Sequence, residues 1–277
     1  MATEVRKKDR EKAGRYPGAE PVAKKKYHTS TALYGRSGTG KTTLSATWPK
    51  PILYLNIRDN GTDSISDVED VDVKDIDSGD ELKEVILWLH KQSERGKLVY
   101  RTVVLDTMSQ LQGILVEELG EKKGLAKTKK RAGDFGTLTK QDWGQIAGDL
   151  KSVIMDIRNL PVESVFICQE RIFGMSDEED DGLGMIEPEV GPKLMPSVKN
   201  DLNASVSIIG NTFIRLKLTK EKVDGKIKKS AEKQYCLRVG PNQVYTTKIR
   251  KPKGIEAPDF IVDPTFRKIK AIMKGTE

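Results

Sequence analysis

"LYGRSGTGKTTL", residues 33–44, decides how the rest of the chain is read. Gly35, Gly40, Lys41 and Thr42 satisfy the spacing G-x-x-x-x-G-K-[ST]. Each residue type follows from what a phosphate needs. Glycines let the backbone fold into a nest of N–H donors, the lysine reaches the β- and γ-phosphates, and the threonine hydroxyl ligates Mg²⁺. Gly35, Arg36, Ser37, Gly38, Thr39, Gly40, Lys41, Thr42 and Thr43 are therefore the expected nucleotide-binding loop. "YHTSTALY" before it reads as a strand, and a capped helix is expected after it. A structural glycine turn is the weaker account of that context.

Such a loop needs a carboxylate on a second buried strand to complete the metal site. "YRTVVLDTMSQL" offers Asp106 at the carboxyl end of a Val/Leu run, where open α/β sheets place their ligands. N-capping of the next helix is a compatible second role for it. Hydrolysis also needs a group to orient the attacking water. "LYLNIRDNG" supplies Asp59, which could equally be a turn residue before Asn60-Gly61, and "VFICQER" supplies Gln169 and Glu170. "TKQD", residues 139–142, imitates a guanine-reading motif but precedes a helix, so a capping role fits better and adenine is favoured.

Outward from the loop, strands alternate with amphipathic helices. "PILYLNI", "KLVYRTVVLD" and "ESVFICQ" read as further strands. "DELKEVILWLHKQ" puts Leu82, Val85, Ile86 and Leu89 on one helical face, and the helix through "QDWGQIAGDLKSVIMDIRNL" does the same with Trp143, Ile146, Leu150, Val153, Ile154 and Ile157. The pattern predicts an α/β fold with a mainly parallel sheet and helices on both faces. After Asp201 the turn signals "VDGK" and "GPNQ" predict C-terminal β-hairpins, and "DPTFRKIKAIM" predicts a closing helix with Asp263 as N-cap.

At 277 residues one such domain is expected, spanning 27–277, after a basic disordered arm over residues 1–26. Two cysteines and two histidines give neither a disulfide framework nor a zinc site, and there is no run of eighteen apolar residues and no apolar leader. The expected setting is a reducing cytoplasm, with no membrane contact. The net charge of +7 is segregated: nine Lys/Arg against four Asp/Glu in residues 1–26, twenty-two against thirty in 27–210, and seventeen against seven in 211–277. That asymmetry suits a polyanionic partner, nucleic acid before membrane.

Taken in order, "GRSGTGKTTL", "VVLDTMSQL", the insert "GEKKGLAKTKKRAGDFG", a long helix, "VFICQERIFGM" and a second insert resemble the RecA-like (ASCE) P-loop NTPase core. Within it, the layout is most similar to the phage-encoded Sak-type single-strand annealing and recombination ATPases. The resemblance implies ATP and Mg²⁺ as ligands, and mobile inserts at about 119–140 and 171–193. It also implies head-to-tail self-assembly into a ring or filament with ATP at the subunit interface. Partners would be single-stranded DNA and a single-strand binding protein, in the host cytoplasm. Lys122, Lys123, Lys127, Lys129, Lys130 and Arg131 of the first insert would neutralise DNA phosphates. Lys248 and Arg250 of "TTKIRKPKG" match the Lys-x-Arg pair that reaches the neighbour's γ-phosphate. Two departures stand out: Asp59 replaces the usual glutamate, pointing to slow hydrolysis, and the second insert, "SDEEDDGLGMIEPEVG", is acidic. Two other readings stay open: a nucleotide-switched assembly module such as a helicase loader, and a small-molecule kinase.

Overall fold

The computed structural model describes residues 28–58, 61–123, 138–173, 189–223 and 226–276, with the backbone alone for 219–223 and 226–230. The predicted arm (1–26), Asp59, the Asn60 turn, Lys127, Lys129, Lys130, Arg131 and most of both inserts lie outside them.

β1 (Ser30–Gly35), β2 (Ile52–Ile57), β4 (Thr102–Asp106) and the first part of β5 (Glu163–Phe173) form the centre of one sheet. β3 (Val71–Ile76) edges it, and the remaining strands are β6 (Glu189–Pro192), β7 (Ile208–Val223), β8 (Lys226–Arg238), β9 (Lys248–Ile249) and β10 (Phe260–Val262). The order is β10-β8-β7-β1-β5-β4-β2-β3, with β6 on β5 and β9 on β7. β5 thus stands between the loop strand β1 and the aspartate strand β4, all three parallel. This is the α/β arrangement of RecA-like P-loop cores.

Period-two alternation divides the core. Ala32 and Tyr34, Val103 and Leu105, and Phe166 and Cys168 face α2 (Gly79–Glu94), α3 (Met108–Lys122), α4 (Lys140–Asn159) and α5 (Pro196–Ser205). Leu33, Val104, Val165 and Ile167 face α1 (Lys41–Ser45) and α6 (Phe266–Lys274), where Trp48 packs on Phe266 with ring centroids 5.1 Å apart. Burying both faces explains why these strands are continuous apolar runs.

Several expectations are corrected. "GPNQ" closes no hairpin: β9 turns back to pair antiparallel with β7, at Ile208↔Ile249 and Ile209↔Lys248, while β8 takes β10 on its other side. The helix α6 is capped by Thr265, whose hydroxyl accepts from the Lys268 N–H; Asp263 sits before it in a left-handed turn at φ 44°. Trp143 is 40% exposed, off the buried face of α4. The inserts are shorter than expected, because 119–122 continues α3 and Glu189–Pro192 pairs with β5 as β6. The polar edge strand β3 had no apolar run to mark it.

Candidate functional site

β1 is buried throughout and delivers Gly35 to the carboxyl edge of the sheet, beside Gln169 of β5 and Thr212 of β7. A Cβ on Gly35 would lie 2.3 Å from the Thr212 hydroxyl oxygen, so glycine is required there by close packing. Gly40 adopts φ 82° and ψ 24°, a left-handed conformation that other residues reach only with strain. Between them the Thr39 hydroxyl donates to the Arg36 carbonyl at 2.7 Å and lies 2.7 Å from the Thr212 hydroxyl, tying the loop to β7.

The helix after the loop is only five residues long, and its cap is Gly40, with no side-chain acceptor. The expected helix is therefore present, but short and without a capping side chain. The first-turn N–H groups carry no capping side chain and suit an anion, although a helix this short adds little dipole. α1 is braced from below by Tyr54, whose hydroxyl lies 2.6 Å from that of Ser45 and donates to the Thr42 carbonyl at 3.1 Å. Burial pushes the Tyr54 phenol well above its ordinary pKa, keeping it protonated as a donor.

The Lys41 ammonium donates to the carbonyls of Gly35 and Arg36 at 3.0 and 2.8 Å. Thr42 donates to Asp106 Oδ2 at 2.9 Å. Two residues singled out separately in the sequence are thus brought together, one in the first turn of α1 and the other at the end of β4. Asp106 is 2% exposed, and a hydroxyl beside a buried carboxylate is an oxygen pair that could hold a hard divalent cation. The N-cap role proposed for Asp106 belongs instead to Thr107, which accepts from the Gln110 N–H.

Gln169 and Glu170 both line the cleft above the loop, a space of about 1240 Å³. Gln169 Oε1 accepts from Lys193 Nζ at 3.3 Å, and its N–H donates to Ser109 Oγ at 3.1 Å. Glu170 is held by both oxygens: Asn211 Nδ2 donates to one at 3.0 Å and Arg36 Nε lies 3.4 Å from the other. Asn211 in turn accepts from Arg238 Nη1 at 3.0 Å, and the Arg238 guanidinium stacks over Phe213 and Tyr245. The site is therefore backed by a chain of oriented polar groups reaching into β7 and β8.

Asn211, Thr212 and Tyr235 were missed by sequence reasoning. The rule that singled out Gln169, a polar residue ending a buried strand, would have found Asn211 and Thr212 had β7 been recognised as parallel to β1. Tyr235 gives no such signal; it reaches the cleft because β8 pairs with β7, which puts its ring 3.3 Å from a Cβ added at Gly40.

The basic candidates divide. Lys122 is exposed in the last turn of α3, whereas Lys123 forms an ion pair with Asp142. Asp142 also completes a capping box with Thr139, so "TKQD" is a helix start. Lys123, then the Thr139 N–H, holds the Asp142 carboxyl below the usual range. Lys248 and Arg250 lie at the opposite, amino edge of the sheet, level with the first residues of β1. Lys248 Nζ donates to the Asn203 carbonyl at 2.6 Å and Arg250 Nη2 to that of Ala204 at 3.0 Å, both at the carboxyl end of α5. No helix among the described residues is long and apolar enough to cross a membrane.

No curated protein matches the chain. Among solved structures, one it resembles is a KaiC-like protein from the hyperthermophilic archaeon Pyrococcus horikoshii OT3, 10% identical, with a TM-score of 0.39 over 85% of this chain and 90% of that one. A family described as the AAA domain matches residues 28–251. That match covers most of the chain and includes the loop, the aspartate strand and β7, and the chain accordingly belongs to the AAA domain family, as a P-loop ATPase.

Proposed function

We propose that the chain is an oligomeric, ATP-hydrolysing protein that binds single-stranded DNA and promotes strand annealing or recombination in phage DNA metabolism, in the manner of the Sak-type ATPases it resembles. The observation that carries the ATPase part is the Thr42–Asp106 contact at 2.9 Å beside Lys41. In this reading the loop N–H groups and Lys41 take the phosphates. Thr42 and Asp106 would hold Mg²⁺, whose charge would offset that developing on the γ-phosphate oxygens. Glu170, oriented by Asn211, is the base for the attacking water, and Gln169 reports the γ-phosphate. Charge segregation supports the nucleic-acid part, with the excess of basic residues in 211–277 set against the acidic middle of the chain.

Lys248 and Arg250 fit only a role in trans, because both cations are directed to α5 at the edge of the sheet away from their own loop. A neighbour's γ-phosphate would compete for them with the helix-end carbonyls. The test is ATPase activity of the full chain with and without single-stranded DNA. Stimulation by DNA, with binding that weakens as salt rises, supports the reading. Turnover indifferent to DNA, together with no DNA binding at any salt, overturns it and leaves the assembly-module alternative.

A further inference from the structure

One row across the sheet changes character where it reaches the cleft. Cys168 of β5 lies beside Tyr34 of β1, Tyr34 beside Asn211 of β7, and Asn211 opposite Arg238 of β8. Cys168 and Tyr34 are fully buried core, but the next two positions are an amide and a guanidinium, and Asn211 is only 1% exposed. Burying an amide is costly unless both of its polar atoms are bonded. Here both are, and Glu170, two residues beyond Cys168 on the same face of β5, is one of the partners.

The amide of Asn211 has an acceptor end and a donor end, and its second neighbour decides which of them faces Glu170. Arg238 can only donate, and its Nη1 lies 3.0 Å from Asn211 Oδ1, so the oxygen belongs on that side. Nδ2 is left for Glu170, and donates to Oε2 at 3.0 Å. With the amide reversed, two acceptors would meet at Glu170 and two donors at Arg238. The guanidinium is itself fixed, with Cζ 4.5 Å from the ring centroid of Phe213 and 3.8 Å from that of Tyr245. Stacking explains where the guanidinium lies, but not why Nη1 is aimed at a buried amide. On the other side of Glu170, Oε1 lies 3.4 Å from Nε of Arg36, a side chain 82% exposed and a weaker restraint for that reason.

We infer that Arg238 is a positioning residue for ATP hydrolysis: it fixes the polarity of the Asn211 amide, which anchors one oxygen of Glu170 and leaves the other on the side of the phosphate loop. The inference rests on the reading of Glu170 as the base and adds the residue that sets the orientation of that base from β8, three strands away from β5 in the sheet. Arg238 acts only through Asn211 and Glu170, so it bears on kcat and leaves the affinity for ATP alone.

The experiment measures kcat and KM for ATP hydrolysis by the full chain, with single-turnover rates for slow variants and thermal unfolding as the check that each is folded. Arg238→Met still packs on the two rings but cannot donate; kcat is expected to fall about tenfold, with KM within about twofold of the wild type. Arg238→Lys keeps a donor and is expected to recover most of that loss. Asn211→Leu, close to asparagine in shape but without a donor, is expected to lose as much as Arg238→Met and carries the test if that variant unfolds. The deciding comparison is made in the Glu170→Gln background, where adding Arg238→Met or Asn211→Leu should change the single-turnover rate by less than about twofold. If Glu170→Gln alone costs less than about tenfold, the reading of Glu170 as the base fails and the inference with it. If Glu170→Gln is slow, the reading of the base stands, and three results then overturn the inference by itself. These are a wild-type kcat in Arg238→Met, an Arg238→Lys variant no faster than Arg238→Met, or the same loss repeated in the Glu170→Gln background.

Discussion

Lys41 and the pair Lys248 and Arg250 make the same kind of contact at opposite edges of the sheet, and they make it for different reasons. Lys41 donates to the carbonyls of Gly35 and Arg36, which belong to the loop a phosphate would enter. Lys248 and Arg250 donate to the carbonyls of Asn203 and Ala204, the last turn of α5, where the helix macrodipole favours cations with or without a ligand. The first contact lies inside the loop that phosphate oxygens would enter. The second closes a helix end, so drawing it to a neighbour's nucleotide would uncap α5. Burial, then the adjacent Arg250, lowers the pKa of the Lys248 ammonium.

Lys41→Ala breaks the comparison at its stronger end. ATP hydrolysis is expected to fall by at least about 100-fold, the scale for removing a donor aimed at developing charge. The midpoint of thermal unfolding should barely move, because Lys41 closes no structural element; a large drop would make the loop contact structural and the two edges alike. Glu170→Gln comes next, with an expected loss in kcat of about 10² to 10⁴ and nucleotide binding retained, measured by single turnover. A loss of less than tenfold would move the base to another group, Asp59 first among them.

Lys248→Ala and Arg250→Ala test the other end. Each should cost stability of about 0.3–1 kcal/mol through the α5 terminus, read by urea unfolding. Mixing Arg250→Ala subunits with Lys41→Ala subunits then separates the two roles. Recovery of ATPase activity in the mixture shows a site shared between chains, and a mixture that stays inactive leaves Arg250 as a helix cap alone. The smallest effect concerns β6, which pairs with the far end of β5. Glu189 is bonded by Lys199 and Thr246, and these bonds, Lys199 first, hold its carboxyl below the usual range. A lowered folded-state pKa means the stabilisation is complete above the ordinary glutamate value and is lost as pH falls through the folded one, while Lys199 stays charged. Glu189→Gln should therefore remove part of the acid sensitivity of the unfolding midpoint while changing it little at pH below that window.

The phosphate loop was readable because every part of it is local: a strand, two glycines, a lysine and a threonine between Ser30 and Thr42. Asp106 was readable because a carboxylate ending a buried apolar strand is costly without a partner. The central strands and the helices α2 and α4 were readable from periodicity, since both faces of the sheet had to be covered. β3 was not, being polar at an edge, and β6 was not, being only four residues long. The cap of α6 is Thr265 and not the expected Asp263, because backbone conformation decides it: Asp263 takes a left-handed turn and Thr265 an extended one.

By itself, then, the sequence determined the phosphate chemistry and the parallel α/β class, because both rest on contacts between near neighbours and on a repeating apolar pattern. Tertiary structure alone decided which strand lies beside which. That choice put Thr42 against Asp106, 64 residues apart, Glu170 against Asn211, 41 apart, and Lys248 against the Asn203 carbonyl, 45 apart. Long-range pairing depends on the register of buried strands, and register is set by how the whole core closes, which no short stretch of sequence contains.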